Sequence, residues 1–292
     1  MYVRYYLRGK AILDRIRNGF DGNWALQRVL GAINYLPIPY HLMPLHIGGH
    51  ILYANRLDRI LALLLYKSSL FESDEFQLLR KLCCSGMTVI DIGANIGIHT
   101  VELANLVGPT GHVISYEPEM SNFETLCRNI AANNYFFVTP VRSAVGNRVG
   151  SASLYISRSH SGDHRVTSTS VVRERKQVPM VSLDSSLPVD TAVHLVKIDV
   201  QGAEGLVLQG MRRILTTNPG LCVIFEFWPI GLIQFGFKPD EVLADLLALG
   251  YRIYQIDKRF NFEVRISTPL EFLNTLKPGQ YINLLARAPS AP

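Results

Sequence analysis

The run Val89-Ile90-Asp91-Ile92-Gly93-Ala94-Asn95-Ile96-Gly97 decides the fold. A β-branched, apolar segment ends in an acid, and a turn bounded by two glycines leads directly into a helical pattern over 98–107. Glycines let backbone amides approach a ligand without a Cβ in the way, and the helix start offers unpaired N–H groups to a carboxylate or phosphate. Two cofactor classes use such a strand–turn–helix, dinucleotides and S-adenosylmethionine. A dinucleotide fingerprint beginning at Gly93 needs glycine again at 95 and 98, where this chain has Asn95 and Ile98. Asp91 ahead of the turn suits a cationic ligand, and S-adenosylmethionine carries a sulfonium and an ammonium besides its carboxylate. Glu117, 20 residues past Gly97 and at the end of the next strand, is placed to accept both hydroxyls of a ribose. That acid fits either cofactor, so the glycine spacing is the discriminator, and it favours methyl transfer.

Outward from this run, strands and helices alternate from Met87 onward. Strands are expected over 88–92, 112–116, 136–141, 193–198, 221–227 and 251–256, and helices over 98–107, 121–132 and 204–215. A further helix opens at Pro239 and closes at Gly250. This alternation predicts an α/β fold, a mostly parallel sheet with helices on both faces, and 281–286 supplies a last, antiparallel strand. Segments 151–157 and 178–183 interrupt the rhythm as extra strands flanking a polar loop, 158–170, well placed to cover a ligand at the strand C-termini.

Upstream, residues 1–36 read as helical, a proline cluster follows, a short hairpin over 46–55 turns at Gly48-Gly49, and 57–66 and 73–82 read as helical. The first 36 residues hold six basic residues against two acidic ones, four of the chain's net charge of +5. They form a basic amphipathic pattern suited to a peripheral membrane contact, although a helix packed on the main domain with a solvated basic face is the better reading. The rest of the 292-residue chain is close to neutral, which argues against a wide nucleic-acid groove. A hydrophobic content of 48% excludes a disordered chain. The four cysteines show no paired spacing, and no secretory or spanning segment is visible, so a cytoplasmic protein with free thiols is expected.

With Val89–Gly97 come Tyr116-Glu117-Pro118, Ser143-Ala144-Val145-Gly146 and Lys197-Ile198-Asp199-Val200-Gln201-Gly202-Ala203-Glu204. In that order and over roughly 71–257, the chain resembles the FkbM-type family of S-adenosylmethionine-dependent methyltransferases. The resemblance implies a class I methyltransferase fold, Rossmann-like, with a seven-stranded sheet whose last strand is antiparallel. It divides the chain into an N-terminal helical extension with a hairpin, 1–70, and a methyltransferase domain, 71–292, whose core is 87–257. It also implies O-methylation of a small-molecule or glycan hydroxyl, on a saccharide, glycan or polyketide-type metabolite. Gln201 departs from the family, which often has glutamate there, and is given no catalytic role.

By motif position, Asp91 is expected at the ligand edge near the methionine ammonium, and Gly93, Ala94, Asn95 and Gly97 around the methionine end. Glu117 is expected to hold the ribose with Pro118 beside the adenine, while Ser143 and Ala144 border the ring through backbone amides. Asp199 ends the fourth strand and is expected either as the general base or as a ligand of the cofactor ammonium. Glu226, a carboxylate inside the apolar segment 222–228, is expected to face the cleft. His164 in the inserted loop, oriented by Asp163, is a further candidate base, with His160 a weaker one. Glu204 suits the start of a helix as well as a site, His99 reads as a packing or helix-surface residue, and Trp228 and Phe227 either pave a sugar platform or close the core. His160, Asp163, His164, Asp199 and Glu226 lack compact ligand spacing, so no metal is expected. The competing readings are a nitrogen acceptor and a catalytically silent binding module. Asp199-Val200-Gln201-Gly202 stands where amino-methylating enzymes of nucleobases carry Asn/Asp-Pro-Pro-Tyr, and the intact turn and Glu117 speak against a silent module.

Overall fold

The described residues of the computed structural model are 43–54, 73–156, 174–256 and 264–291. A hairpin comes first, β1 (Met43–Ile47) and β2 (His50–Ala54), and its turn falls on Gly48 and Gly49, both at positive φ. Helix α1 (Asp74–Leu82) carries Asp74 and Glu75 in its first turn and Arg80 and Lys81 in its last, each sign matching the helix dipole. Then follow β3 (Thr88–Ile92), α2 (Ile98–Val107), β4 (His112–Tyr116), α3 (Met120–Ala132), β5 (Val138–Val141) and the two-residue β6 (Ala144–Val145). Strands β7 (Gly150–Ile156) and β8 (Glu174–Val181) pair antiparallel, and the short α4 (Leu183–Ser186) leads to β9 (Leu195–Ile198). The C-terminal part comprises α5 (Glu204–Gln209), α6 (Arg212–Thr217), β10 (Cys222–Phe227), α7 (Pro229–Gln234), α8 (Pro239–Ala248), β11 (Arg252–Gln255), β12 (Val264–Ile266), α9 (Pro269–Thr275) and β13 (Ile282–Arg287).

The main sheet has the order β12-β11-β13-β10-β9-β3-β4-β5. Strands β5, β4, β3, β9 and β10 are parallel, and β13 enters antiparallel between β10 and β11. The centre is buried on both faces, so β3 and β9 are almost wholly apolar, and Asp91 and Lys197 are the exceptions. One buried cluster runs along this sheet, and a second gathers Leu52 and Ala54 of the hairpin with Phe76, Ile96, Ile98 and Val101. The C-terminal ends of β3, β4, β9 and β10 open on one side, where the functional candidates lie.

Strands β3 and β4 and helix α2 have the expected bounds. Four features differ from the expectation. Among the described residues the main sheet has eight strands rather than seven, because β12 adds an antiparallel strand to the edge of β11. Helix α3 starts at Met120, since the Glu119 carboxylate caps it by accepting the Asn122 N–H at 2.9 Å. Strand β5 starts at Val138, after Asn134 in the left-handed region (φ +58°) and an exposed Phe136. The helix expected over 204–215 is two helices that meet at Gly210 and Met211, and Gly210 lies so close to the backbone of Gly146 that a Cβ there would overlap the Gly146 carbonyl oxygen; glycine at that position favours a helix end. Both α7 and α9 were absent from the expectation, and each starts on a proline.

The extra strands are β7 and β8, joined by β6 in a small sheet of their own. The polar loop between them, the helices expected over 1–36 and 57–66, and the proline cluster all lie wholly or largely outside the described residues. All four cysteines are free, and among the described residues no helix is long and apolar enough to cross a membrane. Gly210→Ala is expected to destabilise the protein by ~1–3 kcal/mol through overpacking against Gly146, read as a lowered midpoint in chemical denaturation; an unchanged midpoint would show that the contact yields freely.

Candidate active site

The turn after β3 is tied to the ends of its neighbours by its own backbone. Gly93 and Ala94 both donate N–H to the Tyr116 carbonyl at 3.0 Å, and Asp199 donates its N–H to the Ile92 carbonyl at 2.9 Å. Gly93 is at φ +80°, and a Cβ on it would overlap the Asp199 carbonyl. Glycine is therefore required here for close approach as well as for conformation. Gly97, at φ +90°, caps α2 and rests on Leu126 of α3. Between them Asn95 takes φ +52°, and its N–H donates to Glu117 Oε2 at 2.9 Å.

Glu117 ends β4, 5% exposed. Its other oxygen, Oε1, accepts the Glu119 N–H at 2.8 Å. Each oxygen keeps lone-pair capacity for a further donor. Burial pushes its carboxyl up to about 7, and the two N–H donors only partly offset that. Asn95 Oδ1 is buried and has no hydrogen-bond partner among the described residues. A glycine cradle, a carboxylate with free lone pairs and an orphaned acceptor fit a ligand that brings ribose hydroxyls and an ammonium.

A second group of side chains gathers beyond β9. Lys197 is 2% exposed and its Nζ lies 3.9 Å from Asp91 Oδ1 and 3.5 Å from Asp199 Oδ2. Burial alone would lower its pKa, but the charges of Asp199, Asp91 and Glu75 outweigh burial and raise it. Gln201 donates Nε2 to Asp199 Oδ1 at 3.0 Å and to Glu226 Oε2 at 3.1 Å, bridging the two carboxylates. Burial, with the charges of Asp199 and Glu204, pushes the Glu226 carboxyl up to about 8. Glu204 is buried and accepts the N–H groups of Val200 (3.3 Å) and Gly202 (3.0 Å), which shapes the turn after β9; burial raises it to about 7.

Opposite stands a pair from the helices. Glu75 of α1 and His99 of α2 lie 3.4 Å apart, His99 stacks on Phe76, and Asn283 of β13 donates to Glu75 Oε2 at 3.1 Å. Burial would raise Glu75, but His99 beside it and Lys197 bring its carboxyl down to about 2. Asn283 is the register partner of Glu226, so both groups border one polar wall.

Several expected placements change. Asp91 is fully buried, not at the ligand edge: it accepts Thr100 Oγ1 at 2.7 Å and faces Lys197 beneath the turn. Ser143 spends its N–H on the Val141 carbonyl and its hydroxyl on the Ala144 carbonyl, both at 3.0 Å, so its amide is not free to border an adenine, and Ala144 is buried in β6. Pro118 is half-buried after Glu117. Phe227 belongs to the core against Phe225 and Phe272, while Trp228 is half-buried at the start of α7. His160, Asp163 and His164 lie outside the described residues, and among those described no group of histidine, cysteine or acidic side chains is arranged to hold a metal.

The sequence reading missed Lys197, Glu75, Asn283 and the bridging amide of Gln201. Only Lys197 left a signal, a charge inside a strand otherwise buried on both faces.

A family model for the methyltransferase FkbM domain matches residues 91–253, more than half of the chain. No curated protein is similar enough in sequence to match. Among solved structures, a SAM-dependent methyltransferase from Aquifex aeolicus is 14% identical with a TM-score of 0.43, over 74% of this chain and 88% of that one. TYW2 from M. jannaschii, solved with AdoMet, is 12% identical with a TM-score of 0.45, over 84% of each chain. The O-methyltransferase TomG from Streptomyces achromogenes, solved with SAM, is 14% identical with a TM-score of 0.40, over 73% of this chain and 79% of that one. Likenesses this distant carry no argument about the acceptor. The glycine turn, the acid after β4 and the family match agree: the chain belongs to the FkbM methyltransferase family, and it is an S-adenosylmethionine-dependent methyltransferase.

Proposed function

We propose that this methyltransferase acts on a hydroxyl of a saccharide, glycan or polyketide-type metabolite, with Asp199 as the general base. The supporting observation is the pairing of Asp199 with Glu226 through the Gln201 amide. The Asp199 side chain, 38% exposed, is much the more open side of its contact with Lys197, and it stands at the end of β9 against Gly93. Bound S-adenosylmethionine supplies an electrophilic methyl group on a cationic sulphur. Everything else falls to the chain. An alcohol is a weak nucleophile until its proton leaves, and the Asp199 carboxylate takes that proton. Glu226, neutral up to about 8, donates a hydrogen bond to a neighbouring acceptor oxygen, as a vicinal hydroxyl would offer. Gln201 fixes the spacing of the two carboxyls, and such positioning supplies much of the rate of an in-line displacement.

In this reading the cofactor is held by Gly93, Ala94, Asn95, Gly97 and Glu117, while Asp91 supports them from beneath the turn. The near-neutral charge beyond residue 36 supports a small-molecule or glycan acceptor over nucleic acid. Incubating the protein with radiolabelled methyl donor and extracts of its source, then identifying the labelled fraction, tests the acceptor class; label in RNA or protein would overturn it.

Asp199→Asn is expected to lower turnover by ~10²–10⁴-fold, the usual worth of a general base, with cofactor affinity nearly unchanged by calorimetry. Equal losses in both would make Asp199 a cofactor ligand instead. Glu117→Ala is expected to weaken cofactor binding by ~1.5–3 kcal/mol, the loss of charge-assisted hydrogen bonds. The Glu117 carboxyl titrates near 7 in the free protein and must be ionised to accept two hydroxyls, so binding releases a proton below that pH. Dissociation constants should therefore fall as pH rises from 6 to 8, by up to about tenfold per unit on the acid side. Glu117→Gln should flatten this dependence, and a wild-type profile as flat as the variant's would refute the role.

A further inference from the structure

Asn129 and Asn133 stand one turn apart, on α3 and at its C-terminal cap, and both grip β2 of the hairpin. Asn133 accepts the Ile51 N–H at 2.9 Å and donates to the Ile51 carbonyl at 2.7 Å. Asn129 accepts the Tyr53 N–H at 2.6 Å and donates to the Tyr53 carbonyl at 3.1 Å. Positions 51 and 53 present their backbone groups on one edge of β2, so two side-chain amides supply what a neighbouring strand would. The Arg128 guanidinium adds a stack on the Tyr53 ring at 3.9 Å. On the α2 side, His50 lies 3.1 Å from Glu102 Oε2 and 3.1 Å from the Tyr135 hydroxyl, and Arg80 donates to Glu102 Oε1 at 2.6 Å.

The two asparagines differ in their remaining contact: Asn133 Nδ2 donates to the Asn129 carbonyl at 2.8 Å, inside the helix and away from the turn. Asn129 Nδ2 also donates to the Ile96 carbonyl at 2.6 Å, and its residue is wholly buried. Ile96 lies between Asn95 at φ +52° and Gly97 at φ +90°, and the Asn95 N–H is the one that Glu117 holds. A peptide between two residues in the left-handed region persists only where its surroundings over-determine it. Without Asn129 the buried Ile96 carbonyl loses its partner, and the cost of that orphan favours rotation of the peptide and release of the Asn95 amide.

We infer that Asn129 is a positioning residue for the cofactor turn, and that the N-terminal hairpin acts through it as the turn's outer anchor. The inference rests on the assignment of the turn to S-adenosylmethionine. Asn133 is the internal control, since it holds the same hairpin without touching the turn.

The full-length chain and its Asn129→Ala and Asn133→Ala variants are titrated with S-adenosylhomocysteine in a calorimeter. Melting temperatures and amide exchange over 93–97 are measured alongside. Asn129→Ala should raise the dissociation constant about tenfold or more and speed exchange at the turn. Asn133→Ala should lower the melting temperature too, yet keep the dissociation constant within about twofold. Should Asn129→Ala fail to fold, Asn129→Asp keeps the acceptor for Tyr53 and removes the donors, and the same loss of affinity is expected. Equal losses at the two positions, or an unchanged affinity for the Asn129 variants, overturn the positioning role. A wild-type chain that fails to bind the probe overturns the cofactor assignment beneath it, and that failure is distinguishable because it precedes any substitution.

Discussion

Lys197 brings a full positive charge into the middle of a sheet buried on both faces, and the surrounding chain is arranged to answer it. An ammonium so placed is strongly penalised unless carboxylates neutralise it. Asp91 from β3 and Asp199 after β9 both turn toward it, so the ionic contact spans the two central strands from the inner face to the open end. This draws Asp91 beneath the turn and ties down the Asp199 carboxylate at the open end of the sheet. Removing one partner from a buried set of this kind typically costs ~3–5 kcal/mol, because a charge is left behind without compensation. The same contact therefore serves the stability of the core and, in the proposed function, the placement of the base.

Carboxyl groups around this charge divide by environment. Glu75, with an imidazole at 3.4 Å and an amide donor on its other oxygen, stays ionised down to about 2. Glu226, among acids and largely out of water, holds its proton up to about 8. Environments that push neighbouring acids apart let one wall present a charge and a neutral donor at the same pH. Gln201 makes this possible as an amide: a carboxylate in its place would add a negative charge beside Asp199 and supply no donor to hold the two carboxyl groups.

Much of this architecture was legible before any coordinates. The bounds of β3, α2 and β4 follow from apolar runs closed by glycine or by an acid, which are local signals. Glu117 and the glycine turn could be read for the same reason, since spacing within thirty residues defines them. What escaped depends on contacts between distant segments. Strand β12 is set by its pairing with the edge of β11, and the requirement for glycine at 210 comes from Gly146 lying against it. Glu75, Lys197 and Asn283 meet because β13 inserts beside β10 and α1 covers the strand ends, a fact of topology rather than of spacing. The direction in which Asp91 points was equally hidden, for a strand-end acid faces solvent or core according to what its neighbour carries.

One margin of the main sheet has a consequence for how these molecules behave at high concentration. Along β5 and the residue before it, the carbonyls of Phe137 and Val141 accept the N–H groups of Val113 and Glu117, so the alternation puts the backbone of Pro140 on the outer rim, where its ring leaves no N–H to offer. Among the described residues β5 is the last strand on that side, and a border without that donor is a poor template for a long intermolecular ladder, so the sheet resists growing into fibrils from this side while its interior strands remain strongly β-forming.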